Sequence, residues 1–215
     1  MGGRGQHGAA GTASRILDVA ERLVQIRGFN GFSYADVAAE LNLTKASLHY
    51  HFAGKAELGE ALIARYAARF AEALAAIDTR AADARAKLDA YASLYADVLL
   101  GGRMCLCGML AAEYQTLPTP MRDTVIRFFD ENEAWLERLL EQGREEGTLR
   151  VAGSARDAAR TIVSGLEGAM LVARPYGDVT RFQTAASRLL ASLAAQPDPP
   201  RRGAAAPSGF NPGQG

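Results

Sequence analysis

Apolar residues recur at intervals of three and four along most of the chain, which is the spacing of a helical face and not of a strand. The first such stripe ends at Gly28, and glycine favours the conformation that follows a helix. Glycine, proline and capping residues divide the rest of the pattern. We predict about nine helices, at residues 13–27, 33–41, 44–52, 54–77, 88–98, 103–115, 121–146, 154–174 and 178–193. The predicted fold class is therefore all-α.

The two short helices at residues 33–52 have the local signals of a helix-turn-helix. Ser33 is a good N-cap, and Asp36 stands three residues later in the capping-box position. Asn42 interrupts the apolar pattern, and asparagine is one of the few residues besides glycine that tolerates a left-handed turn. Thr44 then caps the second helix. We expect a tight turn between two helices that pack on each other.

The second of these helices directs Leu48 and Phe52 inward and leaves an outer face without acidic residues. No aspartate or glutamate occurs between residues 41 and 54, and the outer face offers donors for phosphates and base edges, namely Lys45, His49, Tyr50 and His51. We interpret this face as a DNA-binding surface. The alternative is an ordinary helical hairpin that binds no DNA, which would leave the absence of acidic residues unexplained.

Composition divides the chain into two helical domains between two flanking segments. We predict a disordered glycine-rich arm at residues 1–12, a helix-turn-helix domain at 13–53, a second domain at 54–195 and a disordered Pro- and Gly-rich tail at 196–215. The helix at residues 54–77 joins the domains as a rod on the order of 35 Å. Such a rod can transmit a rigid-body tilt between them.

Overall charge gives no sign of a nucleic-acid partner. The 215 residues contain 24 Lys and Arg against 24 Asp and Glu, so any attraction to DNA must come from local clustering. The N-terminus lacks the apolar region of a signal peptide, and no apolar run approaches the roughly 18 residues of a membrane helix. We expect a cytoplasmic protein with no membrane partner.

Two cysteines, Cys105 and Cys107, match neither a disulfide framework nor a zinc site. His49 and His51 could be interpreted as a metal pair, but residues two apart on a helix diverge and no Cys or carboxylate is near them in sequence. We expect no metal, no cofactor and no enzyme. A helical enzyme with Cys105 as its nucleophile would need a histidine, and the three in the chain lie at positions 7, 49 and 51.

The segment at residues 14–60 resembles the TetR family of bacterial one-component regulators. The resemblance rests on Ala20 to Gly28-Phe29, Val37-Ala38, Thr44, Leu48, Tyr50-His51-Phe52 and Lys55-Ala56-Glu57-Leu58. It implies that the major groove is read by Lys45, Ala46, Ser47 and His49, and that phosphates are held by Thr44, Tyr50, His51 and Lys55. The sequence departs from the family at Asn42, in place of the usual glycine, and at His49, where tyrosine is more common.

The resemblance also implies a small-molecule effector in the second domain. Aromatic, sulfur-containing and polar residues there form a candidate set of cavity residues, which comprises Tyr91, Tyr95, Met104, Cys105, Met109, Glu113, Tyr114, Phe128, Trp135 and Met170. Glu113 and Arg174 are candidate charges that would orient the effector. The alternative for each of these residues is a place in the ordinary core.

Dimerisation through the last two helices is a further implication of the resemblance. Small residues on the penultimate helix permit close packing, and the candidate interface comprises Ala158, Gly165, Leu166, Gly168, Ala169, Phe182 and Leu189. These residues could instead pack within one subunit. We favour a homodimer on a palindromic operator because one recognition helix reads too few base pairs for useful specificity. Whether the effect on transcription is repression or activation stays open, and repression is preferred.

The stretch at Cys105-Leu106 resembles the segment of TetR-type repressors that sense electrophiles or small unsaturated acids, although Met104 replaces a glycine there. A helix start beside Arg103 would favour the Cys105 thiolate. A thiol-based sensor is therefore the alternative to a repressor that binds its effector non-covalently. A buried structural thiol is the more common fate of a cysteine.

Overall fold

The computed structural model describes residues 4–193, with side chains from Gly11 onward, and these residues form no β-strand. The described elements are nine α-helices, as predicted, in the order α1 (Arg4–Arg27), α2 (Tyr34–Leu41), α3 (Lys45–His51), α4 (Lys55–Arg80), α5 (Ala84–Leu100), α6 (Leu106–Ala112), α7 (Thr119–Glu145), α8 (Ala155–Ala173) and α9 (Val179–Ala191). Short 3₁₀ turns, Tyr114–Thr116 and Arg174–Tyr176, follow α6 and α8.

The first helix is longer than predicted. It begins at Arg4, so residues 4–12 are helical where glycine content had predicted a disordered arm. Once a packed helix exists, each further residue adds a backbone hydrogen bond at little cost, which allows extension through unfavourable residues. The predictions for residues 1–3 and for the tail at 196–215 lie outside the described residues.

The first three helices enclose a small core. Ile16, Ala20 and Val24 of α1 pack with Val37 of α2 and Leu48 of α3, and all five are buried. Further buried side chains close this core on the side of the α1–α2 turn, namely Phe29, Phe32 and Phe52. The three-helix unit is small, and α4 covers its remaining apolar side.

The turn between α2 and α3 has the predicted conformation. Asn42 lies in the left-handed region, with φ 54° and ψ 46°. The Thr44 hydroxyl accepts a hydrogen bond from the Ser47 amide at 3.1 Å and so caps α3. At the start of α2 the Asp36 carboxylate accepts from the Ser33 amide and hydroxyl, at 2.7 and 2.6 Å.

The long helix α4 connects the two domains. Its 26 residues span about 39 Å at 1.5 Å per residue. Leu58 and Leu62 are buried towards the three-helix unit, and Tyr66, Leu74 and Ile77 are buried in the second domain. Helix α8 packs between α7 and α9, and α4 and α5 pack against α7. No helix in the described range 4–193 is both long and apolar enough to cross a bilayer.

Candidate DNA-binding surface and effector cavity

The exposed face of α3 carries most of the predicted DNA-binding side chains. Lys45, Ala46, His49 and Tyr50 are exposed, and Tyr50 is 81% accessible. Thr44 is exposed at the N-cap, and the predicted contacts Ser47 and His51 are half-buried beside them. A tyrosine side chain with this much exposed surface is unusual unless it contacts a partner, because its ring is largely apolar.

His49 is held in one orientation by two contacts. Its Nδ1 lies 3.0 Å from the Ala53 carbonyl oxygen, and its ring packs on Tyr34 with centroids 4.9 Å apart. A carbonyl oxygen only accepts, so Nδ1 carries the proton and Nε2 is an acceptor when the ring is neutral. Tyr34 in turn donates to the Phe52 carbonyl at 3.0 Å, and burial together with Glu57 raises the pKa of Tyr34 to about 12.

The sequence predicted that Lys55 contacts a phosphate, but its side chain is turned inward. Its ammonium donates to the Phe32 carbonyl at 2.5 Å and lies 4.6 and 4.4 Å from the ring centroids of Phe29 and Phe32. Burial lowers the pKa of Lys55 from its usual value. Its role in this conformation is to hold the α1–α2 turn against α4, since the charge is turned inward.

Glu113 was predicted to orient the effector, but its carboxylate binds backbone amides of the turn after α1 instead. Its carboxylate accepts from the backbone amides of Phe29 at 2.5 Å and Asn30 at 3.2 Å. The Asn30 side-chain amide donates to Thr116 Oγ1 at 2.7 Å. Gly28, with φ +84°, brings the chain so close that a Cβ there would lie 2.7 Å from Glu113 Oε1. Glu113 therefore binds the second domain to the turn after α1.

Arg174, the other predicted orienting charge, makes a second link to α1. Its guanidinium donates to the Ile26 carbonyl and lies 3.2 Å from Met109 Sδ. We call the contacts of Glu113 and Arg174 with residues 26–30 the latch. The latch joins α6 and the α8–α9 connection to the last turn of α1 and the turn that follows it.

A cavity of about 160 Å³ lies in the second domain among α4, α5, α6 and α8. Its lining is mostly aromatic and apolar and comprises Tyr66, Arg69, Phe70, Ala73, Leu94, Tyr95, Val98, Cys105 and Met170. Three of the ten predicted residues, Tyr95, Cys105 and Met170, are in this lining. Sequence reasoning missed Tyr66 and Phe70 because both had been assigned to the apolar face of the connecting rod.

The other predicted cavity residues support the cavity or lie outside its lining. Phe128 packs on Phe70 with ring centroids 5.3 Å apart, and Trp135 stacks on Tyr91 at 5.6 Å. Met104 is buried and donates its amide to the Gln25 carbonyl. The remaining two residues have contacts elsewhere, Met109 with Arg174 and Tyr114 with Arg122.

Glu167 is a polar residue beside the cavity that sequence reasoning missed. Its carboxyl lies against Gly108, whose amide donates to the Cys105 sulfur at 3.5 Å, and its Oε1 is buried without a partner in the described part of the chain. Burial raises the pKa of Glu167 from 4.5 to about 7. Helical spacing could have revealed it, because residue 167 is four after buried Val163 and three before buried Met170.

The predicted thiolate at Cys105 is wrong. Cys105 is the N-cap of α6, as the sequence indicated, but it is only 1% exposed and Arg103 donates instead to Gln25. Burial, and then the nearby Glu167, raise the pKa of the Cys105 thiol well above its usual value. Burial does the same to Cys107. The protonated thiol is a poor nucleophile, which argues against both the electrophile sensor and the cysteine enzyme.

The residues predicted for the dimer interface divide into two groups. Leu166 and Phe182 are buried inside the subunit, and a Cβ at Gly165 would lie 2.7 Å from the Leu189 side chain of the same chain. These residues pack α8 on α9 within one subunit. Ala158 and Ala169 are half-buried, and Gly168 is exposed with open space around it.

Two further exposed residues follow Gly168 on α8. Leu171 and Val172 are 59% and 62% exposed, which leaves large apolar side chains in water near the open glycine. The sequence pattern did not reveal them, because apolar residues on a helix are ordinarily assigned to the core.

Comparison with known proteins identifies the group to which this architecture belongs. The model for bacterial regulatory proteins of the tetR family matches residues 16–62, and the model for a tetracyclin repressor-like C-terminal domain matches residues 84–189. A TetR-family transcriptional regulator from Agrobacterium tumefaciens is 30% identical, with TM-score 0.84, over 87% of this chain and all of that one. The chain belongs to the TetR family.

Two further similarities agree with this assignment. A TetR transcriptional regulator from Legionella pneumophila is 34% identical, with TM-score 0.75, over 85% of this chain and 97% of that one. The HTH-type transcriptional repressor DhaR of Mycobacterium sp. (strain GP1) is 24% identical over 67% of this chain and 73% of its own length. This chain is a TetR-family, DNA-binding transcriptional regulator, and its helix-turn-helix, α2 and α3, lies inside the matched N-terminal region.

Proposed function

We propose that this TetR-family regulator is a repressor that binds a palindromic operator as a homodimer and is released by a small-molecule effector. The observation that carries the proposal is the exposed, acid-free face of α3 in a chain of this family. The similarity to the repressor DhaR supports repression as the direction of the effect.

DNA recognition is assigned to α3. Lys45 and His49 would contact base edges, with Nε2 of a neutral His49 accepting from an exocyclic amine of adenine or cytosine. Thr44, Tyr50 and His51 would contact phosphates, together with the N-terminal amides of α3 and α4. Ala46 and Ser47 would lie against the groove, where a small side chain permits a close approach. Lys55 would position the turn behind the surface.

The effector is assigned to the cavity, and α6 to its coupling with DNA binding. Helix α6 is seven residues long; Cys105 in the cavity lining precedes it and Glu113 of the latch follows it. A molecule that enlarges the cavity would push on the N-terminal end of α6. Because Glu113 holds the turn at Phe29 and Asn30, the displacement would reach the three-helix unit and change the spacing of the two α3 helices in a dimer.

The experiment begins with selection of operator sequences from random DNA by the full-length protein. Lys45→Ala should weaken binding to the selected operator by about 1–3 kcal/mol and weaken binding to unrelated DNA much less. Tyr50→Phe should weaken both equally, because a phosphate contact carries no sequence information, and should leave the slope of log K against log salt unchanged, since a neutral hydroxyl releases no counterion. Lys87, which pairs with Asp78 far from α3, provides the matched control Lys87→Ala.

Either of two results would contradict the proposal. If selection yields no enriched palindrome, or if Lys45→Ala and Tyr50→Phe bind the operator like the parent protein, α3 does not read DNA in the proposed way.

A further inference from the structure

A carboxyl oxygen without a partner lies beside the cavity. The Glu167 side chain is partly exposed along its length, but its Oε1 is buried and no described residue donates to it. The carboxyl lies against Gly108, and the Cys105 thiol beside Gly108 is only a weak donor. Leaving a buried acceptor unsatisfied costs about 1–3 kcal/mol, and more when the group is charged. A bound donor would remove this cost.

No described side chain supplies a positive charge to this carboxyl. Arg69 lines the cavity, but its guanidinium pairs with Glu21 of α1. The neighbouring ionisable groups Tyr66, Tyr95 and Cys105 have pKa values raised by burial and are neutral at pH 7. The Glu167 carboxyl lies against Gly108, three residues after Cys105 of the cavity lining.

The cavity lining provides a suitable wall for an organic cation. Tyr66, Phe70 and Tyr95 present three aromatic rings, with Phe70 lying 6.2 Å from each of the other two centroids. Aromatic faces attract cations, and the attraction strengthens when water is excluded. Cys105 connects this wall to Glu167. It lines the cavity, its sulfur accepts from the Tyr66 hydroxyl at 3.6 Å and from the Gly108 amide at 3.5 Å, and Gly108 lies against the Glu167 carboxyl.

We propose that the effector is a small apolar amine whose ammonium group binds the Glu167 carboxylate and whose body lies against Tyr66, Phe70 and Tyr95. The inference rests on the proposed function, in which this cavity receives the effector. At about 160 Å³ the cavity resembles one of about 150 Å³ that accommodates benzene, so a single six-membered ring matches its volume.

A longer amine has room to extend away from Glu167. A groove of about 710 Å³ between α4 and α5 shares Ala73 and Leu94 with the cavity lining. Its remaining wall comprises five alanines, at positions 76, 81, 82, 86 and 90, together with Ile77, Arg80 and Ser93. Small side chains leave the space between the two helices unfilled, and their methyl groups favour an apolar substituent.

The test measures binding of benzylamine, benzyl alcohol and benzoate to the full-length protein by calorimetry at pH 7. Benzylamine should bind at least tenfold more tightly than benzyl alcohol, and benzoate should bind most weakly. Since the pKa of Glu167 is about 7, binding of an ammonium group should release about half a proton, visible as a dependence of the enthalpy on the buffer.

Two variants separate the carboxyl from the rest of the cavity. Glu167→Gln should make benzylamine and benzyl alcohol bind equally and abolish the proton release. Gly108→Ala places a methyl group where Glu167 Oε2 lies, so it should displace the carboxyl, keep its charge and weaken benzylamine binding at least tenfold. Glu141, exposed on α7, provides the control Glu141→Gln, which should leave all three affinities unchanged.

Several results would overturn the amine assignment. These are equal binding of benzylamine and benzyl alcohol to the parent, absence of binding by all three probes, or benzylamine binding that survives in Glu167→Gln. If Glu167→Gln alters only the dimer dissociation constant, Oε1 is paired with a second copy of the chain. Operator release by benzyl alcohol or benzoate would refute the amine and leave the proposed function intact, whereas failure of operator selection refutes the function itself.

Discussion

At the scale of single residues, the burial of Glu167 makes folding depend on pH. Its pKa is about 7 in the folded chain and near 4.5 when the residue is in water, so the folded state binds more protons between these values. The free energy of unfolding therefore falls as pH rises from about 4.5 to about 7 and is constant with respect to this group above that range. At about 1.4 kcal/mol per pH unit, the effect is at most about 3 kcal/mol.

Glu167→Gln should remove this dependence. The amide has the same shape and no charge to desolvate, so the variant should be more stable than the parent at pH 8, by about 1–3 kcal/mol, and nearly equal to it at pH 5. Urea denaturation at both pH values measures the difference. A variant that is destabilised equally at pH 5 and pH 8 would show that the carboxylate is favourably paired in the folded protein.

Residues whose roles are set locally could be predicted from the sequence, and those with distant partners could not. The left-handed Asn42, the Thr44 cap and the Ser33–Asp36 cap depend on neighbours within four residues, and the sequence pattern contains those neighbours. Glu113 binds the Phe29 amide far away along the chain. No spacing rule connects residues that far apart, so its carboxylate was assigned to the effector.

At the scale of elements, α6 connects the cavity with the DNA-binding unit. The sequence predicted helix α4 as the mechanical link, and α4 does extend through both domains. A helix on the order of 39 Å is stiff, and its position relative to α1 is fixed by the Arg65 and Arg69 ion pairs with Glu21. The short α6 is attached at one end to the cavity lining and at the other to the latch. We expect it to be the more responsive of the two links.

Glu113→Ala should uncouple these sites. Without the carboxylate the Phe29 and Asn30 amides lose their acceptor, which should cost about 1–3 kcal/mol of stability and increase hydrogen exchange at both amides. Operator binding should persist while its response to effector falls. Glu141→Ala, at an exposed position on α7, is the control. An unchanged effector response in Glu113→Ala would remove the latch from the coupling.

The spacing of apolar residues predicted the order of the helices in the second domain. It did not predict which apolar residues lie in the core and which lie on the outer face. Leu166 and Phe182 pack inside the subunit, and Leu171 and Val172 of α8 are in water. Both groups recur at helical intervals, so spacing alone cannot distinguish a core face from a face reserved for another chain. The distinction depends on where α9 crosses α8.

For the whole molecule, the open surface at Gly168 indicates where a second copy would pack. Exposed apolar side chains at Leu171 and Val172 lie next to a glycine with no neighbour, which permits close approach of another helix. Pairing there would place two α3 helices on one operator, as a palindrome requires. Gly165, by contrast, is filled from within the subunit by Leu189.

Gly168→Arg should therefore give a folded monomer that does not bind the operator. The arginine occupies the space of the partner helix and adds a buried charge to the interface, while the subunit core is unaffected. Light scattering measures the mass, and circular dichroism measures the helix content. Ala68→Arg, on an exposed part of α4, should remain dimeric. A Gly168→Arg protein that is still a dimer at micromolar concentration would place the interface elsewhere.

The contact between Gly108 and the Glu167 carboxyl also constrains how this gene can diverge. A side chain at position 108 and the carboxyl require the same space. If a residue larger than glycine arises at position 108, it displaces the carboxyl, and glutamate at position 167 no longer has its present place. If Glu167 is replaced, glycine is no longer required at position 108. The two codons are expected to change together in related lineages, although they encode residues on different helices. Lineages that keep both are expected to respond to the same class of signal.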